Sequence, residues 1–198
     1  MPIPATPKPA TLDDAPLVSA ALARAFDDDP MLRRSFPDDA SREESLVRYF
    51  TTLFMGQHLH HGVCERTDGA AAFWVAAGAQ AVPGADSVQQ LQDLLGVRAP
   101  LFRDAVETAA RHTPRGPHWP LAVIGADPAA RGQGHGAALL RSGLARADAA
   151  GLPVYLESCK SANIPFCEHF GFTVREEVPL PGDGPTRWGM WREPRHAS

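Results

Sequence analysis

Apolar residues recur at the spacing of one helix face in several stretches of the chain. Leu17, Val18, Ala21, Leu22, Ala25 and Phe26 form the first stripe, and Thr11-Leu-Asp-Asp ahead of Pro16 supplies a helix start signal. Leu46, Val47, Phe50, Leu53 and Phe54 form a second stripe, preceded by Ser41-Arg-Glu-Glu44, which has the form of a capping box. Residues 87–95 and 101–112 read as two further helices. The spacing changes to short apolar runs at 63–66 and 70–76, which flank Asp68-Gly69 and predict a hairpin with a tight turn. Residues 78–84 read as loop, and Thr113-Pro-Arg-Gly-Pro117 breaks the chain. A strand is predicted over 118–126, a helix over 137–150 and a strand over 154–158. That β-α-β order makes the two strands parallel neighbours. A short helix from Asn163 ends at Gly171 as its C-cap, and strands over 173–178 and 187–191 close the chain as a hairpin. Residues 1–10, with four prolines, read as a tail or a short edge strand. Residues 11–195 are expected to form a single α/β domain built on one mixed sheet.

Composition narrows the class. A chain of 198 residues with 44% hydrophobic and 21% charged positions suits a globular protein of one domain. A net charge of −4 and a pI near 6.0 argue against nucleic acid as the main partner and suit a cationic small molecule. No apolar run is long enough to span a bilayer, the N-terminus lacks a signal pattern, and no membrane partner is expected. Three cysteines, Cys64, Cys159 and Cys167, have no metal spacing and suit a reducing cytoplasm. His58, His60 and His61 lie two and one apart rather than four. They are read as complements to a helix C-terminal dipole, not as metal ligands.

The stretch that organises the candidate chemistry is Arg131-Gly132-Gln133-Gly134-His135-Gly136, set between an apolar strand and an Ala/Leu-rich helix. Glycines let backbone N–H groups approach a ligand closely, and a helix start with its dipole makes an anion site. No Lys-Ser or Lys-Thr follows, which excludes a Walker-type P-loop, and the glycine spacing is not that of a dinucleotide fingerprint.

Three separated segments carry a resemblance. They are the strand with Arg131-x-x-Gly134-x-Gly136, the strand end Leu156-Glu157-Ser158, and Asn163-x-Pro165-Phe166-x-Glu168-x-x-Gly171-Phe172. In order and spacing they resemble the second half of a GNAT acetyltransferase. The flow from Phe26-Asp27-Asp28-Asp29-Pro30 to Phe36-Pro37-Asp38 resembles the subgroup that includes puromycin N-acetyltransferase. The resemblance implies a mostly antiparallel sheet with a splayed parallel pair at the acyl-CoA site, flanked by helices. It implies acetyl-CoA as co-substrate and no metal. It also implies acetylation of a small-molecule primary amine, with an antibiotic of aminoglycoside or nucleoside type as one acceptor class. Polyamines, protein N-termini and a non-catalytic acyl-CoA sensor are the alternatives. Either a monomer or a homodimer fits.

The resemblance maps the pantetheine-pairing strand to Ile124, Gly125 and Ala126. It maps the pyrophosphate loop to Arg131, Gly132, Gln133, Gly134, His135 and Gly136, and a further cofactor contact to Asn163. Where the family usually has a tyrosine acid, this chain has Cys167, which is either a proton donor to the thiolate or a small packed residue. Glu157 is either the general base or a buried acid paired with a neighbour. Asp27, Asp28 and Asp29 oppose the dipole of the helix that they end. They form either a solvated turn or an electronegative rim for the amine. Tyr155 on a strand and Tyr49 on an early helix are not expected near the site.

Overall fold

The computed structural model describes residues 5–76, 78–79 and 83–195; positions 1–4 of the expected tail and 80–82 of the expected loop lie outside them. Seven strands form one sheet in the order β1-β2-β3-β4-β5-β7-β6. These are β1 (Lys8–Pro9), β2 (Gly62–Thr67), β3 (Ala70–Val75), β4 (Trp119–Ala126), β5 (Val154–Ser158), β6 (Thr173–Pro179) and β7 (Thr186–Arg192). Every neighbouring pair is antiparallel except β4 with β5, so the expected mixed sheet with one parallel pair is present.

Side-chain alternation on β3 divides the core between the two faces. Ala71 and Phe73 pack with α1 (Ala15–Ala25) and α3 (Arg42–Leu53), through Leu22, Leu46 and Phe50. Ala70, Ala72 and Trp74 pack with α7 (His135–Ala149) and α8 (Ile164–His169), through Leu139, Leu140 and Cys167. Gly143 makes the second arrangement possible, since a Cβ there would lie 2.0 Å from the Trp74 ring. The remaining helices are α2 (Pro30–Ser35), α4 (Leu59–His61), α5 (Ala85–Leu95) and α6 (Ala99–His112). Among the described residues no helix is long and apolar enough to cross a membrane.

Two partly buried ion pairs hold α7 in place. Arg146 donates to both oxygens of the buried Glu65 on β2, at 2.9 and 2.5 Å, and Ser142 donates to the same carboxylate. Arg192 on β7 donates to both oxygens of Asp148 and to the Phe170 carbonyl. These contacts fix the C-terminal half of α7 relative to β2 and β7.

Local chemistry differs from expectation in three places. Ser41 does not cap α3; its hydroxyl donates instead to Asp38 at 2.6 Å. Pro30 does not only end a helix: it occupies the first turn of α2, and Asp29 caps that helix by accepting from the N–H groups of Met31 and Leu32. His58 ends a π-helical segment, Phe54–His58, and is buried against the Phe73 ring. Burial pushes its pKa down to about 4, so it is neutral and gives the dipole no cation.

Candidate active site

Strands β4 and β5 pair only over Trp119–Leu121 and Val154–Leu156. Beyond that, β4 keeps its bonds to β3 on one side, and Glu157 and Ser158 pair only with β7. The cause lies in β4 itself. Phe73 and Trp74 of β3 face Val123 and Leu121, so Ala122 is an extra residue, a bulge that bends the strand where the parallel pairing stops. Ile124, Gly125 and Ala126 follow the bulge, with one strand edge left uncovered. Gly125 also lets α1 lie on the sheet, since a Cβ there would come within 2.9 Å of Ala25 and Phe26.

The chain then turns into the glycine loop. The Asp127 N–H donates to the Gly69 carbonyl. Its carboxylate accepts from Ala129 N–H at 2.9 Å and Arg24 Nε at 2.7 Å. These bonds fix the turn Pro128–Ala130. Gly132 and Gly134 have φ of +76° and +85° with open space where a Cβ would be, so both positions need glycine. Gly134 is the N-cap of α7, whose first N–H groups have no intrahelical partner. Among the described residues no protein acceptor takes the N–H of Gly132, Gln133 or Gly134. This cradle fits an anionic, pyrophosphate-like group.

Splay and loop open into one cleft of about 1040 Å³, ample for a large ligand. Ile124, Gly125, Ala126, Arg131, Gly132, Gly134, His135, Gly136 and Asn163 line it. Gln133 does not; its side chain donates back to the Ala129 carbonyl. Asn163 donates to the Ser158 hydroxyl at 3.2 Å and so also steadies the turn after β5. The Nδ1 of His135 is enclosed without a partner.

Asp28 and Asp29 line the same cleft, while Asp27 lies outside it, 3.7 Å from the buried Arg42. Burial works against the charge of Asp28, but Lys160 Nζ at 2.5 Å, with Arg131 beyond, holds its pKa below the ordinary carboxylate value. Asp29 is only 8% exposed and has no cation at ion-pair distance among the described residues. Its Oδ1 takes both capping N–H groups, and its Oδ2 takes no protein donor. Burial raises its pKa against the pull of those N–H groups.

Two arginine- and tyrosine-based contacts were not foreseen. Arg187 on β7 donates to Glu157 Oε2 at 2.7 Å, and the Tyr155 hydroxyl donates to Glu157 Oε1 at 3.0 Å. Tyr49 lines the cleft as well, stacked edge-on with Phe36, Phe50 and Phe102. Both tyrosines are therefore at the site, contrary to the expectation from their places in the chain. Cys167 touches the cleft but packs in the core beside Leu139, Phe170 and Met190. Burial pushes its thiol up to about 11, which makes it a weaker acid than a free thiol. His118 packs on Tyr155 and Trp191 and His169 on Phe170, and neither lines the cleft. Among the described residues no group of three or more His, Cys, Asp or Glu is placed to hold a metal.

Residues 31–172, well over half of the chain, match the profile of the Acetyltransferase (GNAT) family. The chain belongs to this family. Among solved structures it is similar to a histone acetyltransferase HPA2 and related acetyltransferase from Corynebacterium glutamicum, with 26% identity over 99% of each chain and a TM-score of 0.77. An arylalkylamine N-acetyltransferase 2 from Aedes aegypti shares the fold at 10% identity, covering 96% of this chain and 99% of that one with a TM-score of 0.63. A polyamine N-acetyltransferase from Drosophila melanogaster does so at 13% identity, with coverage of 96% and 99% and a TM-score of 0.54. GNAT enzymes use acetyl-CoA as co-substrate, and the open β4 edge and glycine loop of this chain fit its amide arm and pyrophosphate. Arg187, Tyr49 and Lys160 had no local signal in the sequence. The charged partners of Arg187 and Lys160 lie far along the chain, 132 positions away for Lys160 and Asp28.

Proposed function

We propose that this protein moves an acetyl group from acetyl-CoA to a primary amine of a small molecule by direct attack. The supporting observation is one cleft lined both by an N–H cradle that suits pyrophosphate and by Asp29, a buried carboxylate with no cation at ion-pair distance among the described residues. Residues 122–126 pair through their open edge with the amides of the pantetheine arm, as an extended chain pairs with a strand. The loop N–H groups and the start of α7 hold the pyrophosphate, with Arg131 and His135 beside it and Asn163 at the arm.

The substrate ammonium docks on Oδ2 of Asp29 and gives it one proton, which makes the nitrogen a nucleophile. The nitrogen attacks the thioester carbonyl carbon, and β4 N–H groups near Gly125 stabilise the charge that builds on the oxygen. The carbon–sulfur bond breaks, the sulfur leaves as thiolate and the nitrogen loses its second proton. Amide, CoA thiol and one net proton result once the thiolate is protonated. Glu157, fixed by Arg187 and Tyr155, positions the end of β5 rather than serving as the base. Cys167 acts by packing. Much of the rate enhancement comes from holding two reactants in line.

The walls made by Phe26, Tyr49, Phe50 and Phe102 favour an amine with an apolar or aromatic body. Among antibiotic-type acceptors they favour the nucleoside type over the aminoglycoside type, and they favour it over a polyamine. A non-catalytic acyl-CoA sensor is the competing reading, favoured by a cysteine at the family's tyrosine position. Free-thiol release from acetyl-CoA over a panel of aryl-bearing amines, polyamines and amine antibiotics separates the two. Amine-dependent release supports the enzyme; tight acetyl-CoA binding without release across the panel supports the sensor.

A further inference from the structure

Arg187 is a guanidinium with five donors in a site that satisfies few of them. It is 15% exposed at its side chain and lines the cleft. Nη1 donates to Glu157, Nη2 reaches the sulfur of Met31 at 3.3 Å, the thiol of Cys159 is a further hydrogen-bond partner, and among the described residues Nε is enclosed with no acceptor. Sulfur is a weak acceptor, and a buried donor left unmet is costly. The guanidinium lines the cleft and thus has a single oxygen acceptor, Glu157, among the described residues.

Its position relative to Asp29 gives that shortage a meaning. Met31 touches both groups: its N–H donates to Asp29 Oδ1 at 3.0 Å, and its sulfur accepts from Arg187. A carboxylate with a free oxygen and an under-satisfied guanidinium therefore sit one methionine side chain apart, on one wall of the cleft. Of the other charged groups named at this wall, Asp28 is matched by Lys160, and Glu157 by Arg187 itself. Tyr49, Phe102 and Val106 stand alongside.

We propose that the acceptor is an α-amino acid with a large apolar side chain. Its ammonium lies on Asp29, its carboxylate takes Nη donors of Arg187 not used by Glu157, and its side chain lies against Tyr49 and Phe102. Guanidinium and carboxylate match in geometry, and one guanidinium readily serves two carboxylates. This rests on the acetyl-transfer reading and narrows its substrate class.

The test compares phenylalanine with 2-phenylethylamine, which keeps the amine and ring but lacks the carboxylate. Free-thiol release from acetyl-CoA gives kcat/KM for each. The expected ratio in favour of phenylalanine is about 10-fold or more, the effect of a charge-assisted hydrogen bond. Arg187→Met brings the ratio near one, and Arg187→Lys restores part of it. Inhibition by 3-phenylpropanoate, competitive with the amine, is expected in the wild type and lost in Arg187→Met. This measurement needs no turnover of an amino acid. Equal or better use of 2-phenylethylamine by the wild type overturns the carboxylate site and leaves acetyl transfer standing. A ratio unchanged in Arg187→Met also overturns it. Absence of release with both compounds and with the wider amine panel removes the transfer reading, and this proposal with it.

Discussion

Asp29→Asn separates the two roles that one side chain holds. The amide matches the carboxylate in shape, and asparagine caps helices as well as aspartate. The N–H groups of Met31 and Leu32 keep an oxygen acceptor, so α2 and the wall built on it stay in place. Only the charge facing the cleft is lost. Loss of the charge-assisted hydrogen bond to the ammonium costs about 1.5–3 kcal/mol, or roughly 10- to 150-fold in kcat/KM for the amine, and loss of the proton acceptor lowers the rate further. The KM for acetyl-CoA is expected to stay unchanged, because the glycine loop is untouched. Stability should move the other way. Burial raises the folded-state pKa of Asp29, so its contribution is fully present below the unfolded pKa and is lost as pH rises through the folded value. The variant lacks that loss. It is therefore at least as stable as the wild type at neutral pH, and the difference closes below about pH 4. Initial rates of thiol release and urea unfolding at pH 7 and pH 4 measure both effects. A variant as active as the wild type would show that Asp29 only caps a helix. A variant that is inactive because it is unfolded would refute the capping argument.

Other outcomes follow from the same geometry. Gly134→Ala places a side chain at φ +85°, costing about 1–2 kcal/mol of stability, and is expected to weaken CoA binding in calorimetry while circular dichroism stays native-like. Cys167→Ala is expected to lower stability by about 1 kcal/mol, as for removal of a small buried group, and to change kcat less than threefold; a loss of 100-fold or more would restore the proton-donor role. His58 has a folded pKa near 4 against 6.5 when free. Its stabilising contribution is therefore present above the unfolded value and lost as pH falls from 6.5 through 4, by about 3 kcal/mol at most. Unfolding midpoints of wild type and His58→Phe across that window check this, the variant showing the shallower acid slope.

The β-α-β half of the chain was legible because its signals are local. The apolar run of β4, the glycines that need positive φ and the helix after them are consecutive, so spacing alone placed the anion cradle. The hairpin around Asp68-Gly69 was legible for the same reason. The acceptor wall was not. Pro30 reads equally as the end of one helix and the start of another, and only the capping bonds of Asp29 decide for α2. Ser41 matches a capping box in type, yet Asp38 takes its hydroxyl. The bulge at Ala122 leaves no mark in composition, since any small residue fits there. Arg187 meets Glu157 through the β5–β7 pairing and meets Met31 across 156 positions, contacts that no local periodicity encodes. Tyr49 and Tyr155 reach the cleft from opposite halves of the chain. The three segments of the second half therefore carried the resemblance that implies acetyl-CoA, and the sequence singled out Asp27, Asp28 and Asp29, while the contacts of Arg187, Tyr49 and Lys160 emerged only from tertiary packing.

Direct transfer in a shared cleft is tested most directly by initial rates of thiol release over a grid of acetyl-CoA and amine concentrations, with the acetylated amine identified by mass spectrometry. The account predicts release that depends on amine, intersecting double-reciprocal lines, and a protein mass that acetyl-CoA alone leaves unchanged. Parallel lines with an acetylated protein, or bound acetyl-CoA with no acetylated amine from any acceptor, would contradict it.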